Sequence, residues 1–158
     1  MKTAIVYYSY SGNTDRVAGL IAGILRKKGD DVTPVRIRPL KETRNFLAQC
    51  KEAFLSGKPE LYRTLLDLKD FDRIVLGSPV WAFNPAPAIN TYIERCGSLE
   101  GKEVFLYVTY GSGTGKDRAL DAMRKGLEAR GARVAGTFSF QQAEGLESCR
   151  RKIREVFE

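Results

Sequence analysis

Apolar positions recur along the chain in two alternating periods, and the alternation lays out an architecture. Residues 3 to 8, TAIVYY, form a near-continuous apolar run of strand length. From Val17 the apolar residues fall at Val17, Leu20, Ile21, Ile24 and Leu25, one face of a helix that Gly29 stops. DVTPVRIR, Asp31 to Arg38, predicts a second strand, and Pro34 marks it as an edge strand because proline lacks the N–H a central ladder needs. Residues 41 to 69 are polar and helix-leaning, broken by SGKP at Ser56 to Pro59, which predicts two short helices. A third strand, Arg73 to Gly77, carries an apolar core suited to burial on both faces. Asn84 and Pro85 then offer a cap and a first-turn proline for a helix through Ile89, Ile93 and Cys96, closed by Gly97. EVFLYVTY, Glu103 to Tyr110, is a fourth strand with GSGTGK as its loop. A helix from Asp117 to Arg130 follows, with Leu120, Met123 and Leu127 inward and Gly131 as its stop. Ala132 to Phe140 is a fifth strand, and Leu146 to Phe157 the last helix.

Five strands alternating with helical segments predict an α/β fold, a doubly wound parallel sheet with helices on both faces, because each parallel crossover needs a helix that covers sheet surface. With the second strand at the edge and right-handed crossovers, the strand order is 2-1-3-4-5, with a switch point between strands 1 and 3. Ligands in such sheets bind beyond the carboxyl ends of the strands. The loops SYSGNT, SPVWAFN and TYGSGTG are therefore expected to meet. A chain of 158 residues holds one substantial core, so one domain spanning 1–158 is expected.

Composition narrows the chemistry. No apolar run approaches the roughly 20 residues of a membrane span, and MKTAIVYYSYSGNT lacks a small-residue cleavage site, so a cytoplasmic protein without membrane insertion is expected. Cys50, Cys96 and Cys149 are widely spaced in a chain with no histidine. Neither a disulfide framework nor a metal site is supported, and the cysteines read as packing residues: Cys50 with Phe46, Leu47, Ala53 and Phe54, and Cys149 with Leu146, Ile153 and Val156. The missing histidine also removes the commonest general base. The net charge of +7 attracts acidic partners, but the dense clusters, Arg26 to Lys28 and Arg150 to Arg154, end helices, where the dipole favours cations. They read as solvated faces, and nucleic acid is not an expected partner.

The first loop is richer than a turn requires. Ser9, Ser11 and Thr14 offer hydroxyls, Gly12 allows close backbone approach, and the helix start aims its unpaired amides at the same place. That is a phosphate cradle. With no lysine or arginine before Arg16 it suits a monoester at the end of a larger ligand better than a transferred phosphoryl group. Two other loop chemistries fail on residues. GSGTGKD, Gly111 to Asp117, is one residue short between its glycines for a nucleotide phosphate loop, and Asp117 stands where Ser or Thr should bind magnesium. A receiver domain needs an acid closing the third strand, where Gly77 and Ser78 stand, and a small phosphatase needs a cysteine in the first loop.

IVYYSYSGNTDRVAGLI, Ile5 to Ile21, resembles the flavodoxin signature throughout, with its apolar pair, aromatic, hydroxyl residue, small residue, threonine and helix alanine at the expected spacings. The resemblance covers the whole chain as element order, and this first motif is its sharp part. It implies that Ser9, Tyr10, Ser11, Gly12, Asn13 and Thr14 enclose the phosphate of FMN. It also implies that Ser78, Pro79, Val80, Trp81, Ala82 and Phe83 with Thr109, Tyr110, Gly111 and Gly113 hold the isoalloxazine ring. Trp81, just past a strand and between prolines, is expected to stack on the flavin, with Tyr110 a second candidate. The chain departs from the acidic electron carriers of that family in being basic, and its third loop runs into Lys116 and Arg118. The leading expectation is an FMN-binding redox protein mediating electron transfer with a redox partner protein. The alternative is an NAD(P)H-dependent FMN oxidoreductase with a quinone-like acceptor, and a flavin-free regulatory or nucleic-acid-binding module stands as the reading from another class.

Overall fold

The computed structural model describes all residues except 43, 44, 46, 49 and 52–57. In chain order the elements are β1 (Lys2–Tyr7), α1 (Asn13–Lys27), β2 (Asp31–Arg36), β3 (Arg73–Trp81), β4 (Asn84–Pro85), α2 (Pro87–Arg95), β5 (Glu103–Tyr110), α3 (Lys116–Glu128), β6 (Arg133–Gln141) and α4 (Leu146–Phe157). Five strands run parallel in the order β2-β1-β3-β5-β6. This is the expected 2-1-3-4-5 sheet; the sixth strand, β4, pairs antiparallel with the end of β3 alone. Pro34 sits opposite Ile5 on the edge strand, as its missing N–H requires.

The period-two alternation of the strands splits the core into two layers. Ala4, Val6, Ile74, Leu76, Val104, Leu106 and Val108 face α2 and α3. Ile5, Tyr7, Val75, Phe105 and Tyr107 face α1 and α4. Both faces of the central strands are covered, so they read as unbroken apolar runs rather than as apolar–polar alternation. Cys149 and Ile153 are buried on the inward face of α4 and Cys96 is buried too, as packing residues, whereas Leu146 is 46% exposed. Cys50 is half-buried and Leu47 is 78% exposed, so Leu47 does not share an inward face with it; Phe46, Ala53 and Phe54 lie outside the described residues.

Three expectations change. The third strand does not stop at Gly77 but runs to Trp81, with Ser78 opposite Val108 and Pro79 opposite Thr109. Pairing with β1 has ended by then, at Tyr7 opposite Gly77, so Pro79 faces an open side where its missing N–H breaks no ladder. Asn84 and Pro85 form β4 instead of capping a helix; Ala86 is the cap, Pro87 takes the first turn, and α2 ends at Arg95 with Cys96 as its cap. Of the two short helices expected over 41–69, the first falls largely outside the described residues; among the described ones Leu47, Ala48, Cys50 and Lys51 are helical. The second does not form. Tertiary partners take the carbonyls of that stretch: Thr91 Oγ1 donates to Pro59 O (2.7 Å), Tyr92 Oη to Leu65 O (2.9 Å) and the Gly97 amide to Leu66 O (2.9 Å). Leu68 is buried among them. Packing has overridden helix propensity.

Candidate functional site

The three loops meet at the carboxyl ends of β1, β3 and β5. In the first, Gly12 has φ 94°, and an added Cβ would meet nothing within 4 Å, so backbone conformation and not space requires glycine there. Ser9 is buried, and its Oγ accepts from the amides of Gly12 and Asp15, each at 3.2 Å. Its hydroxyl is thereby committed to shaping the loop. Asn13 Nδ2 donates to Ser11 Oγ at 3.0 Å, and both Ser11 and Tyr10 are exposed. The amides of Ser11, Asn13 and Thr14 have no partner among the described residues. Three unpaired N–H groups around a left-handed glycine at a helix start make a concave donor cluster for an anion.

Two tyrosines fix that first turn from inside the sheet. Tyr7 Oη donates to Asp15 Oδ1 at 2.5 Å, and Tyr107 Oη donates to Thr14 O at 3.0 Å. Burial, then the Asp15 carboxylate, pushes the Tyr7 phenol up to about 12, and burial pushes Tyr107 up as well. Both stay neutral donors. Thr14 itself is buried, and its Oγ1 lies 2.8 Å from Thr109 Oγ1, joining the first loop to the end of β5. Its hydroxyl therefore faces Thr109 rather than the mouth of the loop.

The second loop is a two-residue hairpin between β3 and β4. Its central residues, Ala82 (φ 46°) and Phe83 (φ 67°), both lie in the left-handed region, as a primed turn demands, yet neither is glycine or asparagine. Each costs on the order of 1–3 kcal/mol. Asn84 Nδ2 donates to Ala82 O (3.0 Å) and Ser78 Oγ accepts from the Ala86 amide (2.8 Å), which hold the strained turn. It delivers Phe83 at 47% exposure against Gly115 of the third loop. A Cβ on Gly115 would stand 2.7 Å from the Phe83 Cα, so the two loops touch only because Gly115, at φ 83°, has none.

Trp81 departs from the expectation that it stands clear of the strand. It ends β3 at 7% exposure, within the core layer under α2 and α3, edge-on to Tyr8 (5.6 Å) and Tyr10 (5.9 Å). Pro79 is buried and Val80 half-buried beside it. Tyr110 is half-buried at the end of β5, with Lys116 Nζ 5.2 Å from its ring centre. Gly111 and Gly113 follow, Gly113 at φ 80°. The rings presented at the rim are thus Tyr10 and Phe83, with Tyr110 beside them.

Sequence reasoning missed Gly77, Tyr107, Asp15 and Gly115 as site-building residues. A glycine inside a buried strand signals close approach by a neighbour. Gly77 carries that signal, and the neighbour is Tyr107. Among the described residues there is no cluster of His, Cys, Asp or Glu able to hold a metal, and no helix is long and apolar enough to cross a membrane.

A sheet of this order, with a concave cluster of unpaired amides at its switch point, is the arrangement of a flavodoxin-like fold, and the comparisons with known proteins give the family. The model of the family described as NADPH-dependent FMN reductase matches residues 1–145. A flavodoxin from Megasphaera elsdenii is 31% identical over 133 residues, 84% of this chain and 81% of the relative. Among solved structures, a flavoprotein from Bacteroides uniformis superposes with a TM-score of 0.77 at 28% identity over 97% of each chain. One from Lactobacillus acidophilus, solved in complex with FMN, gives 0.76 at 21% identity over 99% of each, a likeness of fold. The chain belongs to the flavodoxin-like, FMN-binding family. The residues present fit that cofactor: the unpaired amides of Ser11, Asn13 and Thr14 suit a terminal phosphate, and the aromatic rim suits a planar ring.

Proposed function

We infer that this protein is an NAD(P)H-dependent FMN oxidoreductase that passes electrons to a quinone-like acceptor. In this reading the first loop, Tyr10 to Thr14, holds the FMN phosphate through backbone amides and the Ser11 hydroxyl. Ser78 to Phe83 and Thr109 to Gly113 border the ring. FMN, when bound, supplies the redox chemistry, taking up reducing equivalents from a donor and releasing them to an acceptor. The chain supplies position, charge and a rim open to a planar donor.

One observation carries the choice over a one-electron carrier: the third loop has no acid from Thr109 to Gly115 and is followed by Lys116, whose ammonium sits over Tyr110. Positive charge beside the ring favours the anionic, fully reduced cofactor, so the second electron follows the first readily, as hydride acceptance needs. The match to a family described as NADPH-dependent FMN reductase supports the same reading. The test is anaerobic mixing of the FMN-loaded protein with NADPH and with NADH, followed by bleaching of the flavin absorbance. Reduction by a nicotinamide nucleotide, with turnover on a quinone, is the expected result. Reduction by dithionite and by neither nucleotide would return the protein to the electron carriers that depend on a partner protein.

A further inference from the structure

At the carboxyl end of β2 the chain gathers arginines that no ion pair among the described residues accounts for. Arg36 ends the strand, and the Ile37 amide continues the ladder to Tyr7 O at 2.7 Å. Beyond it the Tyr62 amide donates to Arg38 O (2.7 Å) and the Leu40 amide to Glu60 O (2.8 Å), with Pro39 bridged antiparallel to Leu61. This backbone tie brings Tyr62 and Arg63 beside Arg36 and Arg38. The cleft between them is lined by three guanidiniums and no carboxylate. A second concavity shares Arg36, Arg38 and Pro39 and extends the cationic surface to Ser9 in the phosphate loop. Its one carboxylate, Glu42, is already engaged by the Tyr8 hydroxyl. Arg36 Nη2 donates to Ser9 O at 3.0 Å, while the guanidiniums of Arg38 and Arg63 have no ion-pair or hydrogen-bond partner among the described residues.

Single exposed arginines need no ligand. Three that converge on one concave surface, held there by backbone bonds and without an acid, repel one another until an anion enters. Guanidinium forks match the geometry of a phosphate, which three of them can share. The FMN phosphate is not that anion, because its cradle is the neutral loop at residues 10–14. The cleft adjoins that loop on the side away from β3, at the same edge of the sheet. A phosphate reaching it belongs to a second molecule at the flavin site, and one phosphomonoester is all that separates NADPH from NADH. We propose that this cleft is a phosphomonoester site that takes the 2′-phosphate of the nicotinamide donor. The proposal rests on the oxidoreductase reading above and names its donor.

Calorimetry on the FMN-loaded protein, with adenosine 2′,5′-bisphosphate, adenosine 5′-monophosphate and inorganic phosphate as probes, tests the cleft without turnover. The bisphosphate should bind at least roughly tenfold more tightly than the monophosphate at low salt, and less so as salt rises, as a charge-assisted contact at an exposed site implies. Arg38→Ser and Arg63→Ser should each remove most of that difference; Arg36 is left in place because it also holds Ser9. In steady-state assays the ratio of kcat/KM for NADPH over NADH should fall roughly tenfold in each variant, with circular dichroism showing a retained fold. Equal binding of the two nucleotides, or an unchanged ratio in both variants, overturns the proposal. Competition by inorganic phosphate as strong as by the bisphosphate would assign the cleft to free phosphate and overturn the nucleotide assignment. If neither nicotinamide nucleotide reduces the flavin, the oxidoreductase reading fails, and the bisphosphate titration still decides whether the cleft selects a 2′-phosphate.

Discussion

Replacing Gly77 with alanine is the sharpest perturbation of the way this fold builds its site. Glycine inside a strand is ordinarily a weakness, and alanine there should stabilise by roughly 0.5–1 kcal/mol through backbone entropy. Here the sign reverses. A Cβ on Gly77 would stand 2.0 Å from Tyr107 Cζ, 2.3 Å from Cε1 and 2.4 Å from the hydroxyl oxygen. The ring cannot withdraw, because Tyr107 is fully buried, stacked on Phe138 at 5.9 Å and edge-on to Phe140 at 6.4 Å. Overpacking of this kind costs roughly 1–3 kcal/mol, and displacing the Tyr107 hydroxyl from Thr14 O strands a buried donor at roughly 1–3 kcal/mol more. The expected loss is about 2–6 kcal/mol, a large share of an ordinary domain's stability of about 5–15 kcal/mol. Urea unfolding of the FMN-free protein measures it. A Tyr107→Leu background separates the cause: there the ring is gone, and Gly77→Ala should cost under about 1 kcal/mol, a coupling a double-mutant cycle reads directly. A Gly77→Ala protein as stable as wild type, or one whose loss is the same in both backgrounds, would refute the argument.

Ser11→Ala should weaken FMN binding by about 1–3 kcal/mol, the usual loss when an ionised acceptor is deprived of a donor; unchanged affinity in a fluorescence titration would remove Ser11 from the phosphate site. The emission of Trp81, the only tryptophan, should be quenched when FMN binds and should recover when it is stripped, and identical emission in both states would place the ring away from the flavin. Tyr7 is held up to about 12 against an ordinary value of 10 by burial and by Asp15, and burial raises Tyr8, Tyr92 and Tyr107 too. The folded state therefore keeps protons that the unfolded chain gives up. The Tyr7 contribution to stability is whole below pH 10 and lost as pH rises toward 12, so the urea midpoint should fall across that window and fall less steeply in Tyr7→Phe; a midpoint flat from pH 9 to 12 would contradict this.

The amino-acid sequence by itself determined the layered architecture. Apolar runs of strand length at residues 3–8, 73–77 and 103–110, separated by helix-period stretches, admit little besides a parallel sheet covered on both faces, and Pro34 names its edge. The shape of the first loop was legible for the same reason: Gly12 acts through its own φ, and Ser9 accepts from amides within six residues of chain. What lay beyond reach was every feature set by residues distant in sequence. The hydroxyl of Thr14 turns to Thr109 and its carbonyl to Tyr107; Phe83 packs over Gly115; and Trp81 is buried because β3 outruns β1 and continues along β5. The stretch from Glu60 to Lys69 leans helical on local propensity, yet it runs irregularly because Tyr92 and Gly97 take its carbonyls, and Thr91 that of Pro59 before it. Local propensities are worth tenths of a kilocalorie per residue, whereas a buried contact or an unanswered buried carbonyl is worth about 1–3 kcal/mol, so where the two disagreed the tertiary structure decided.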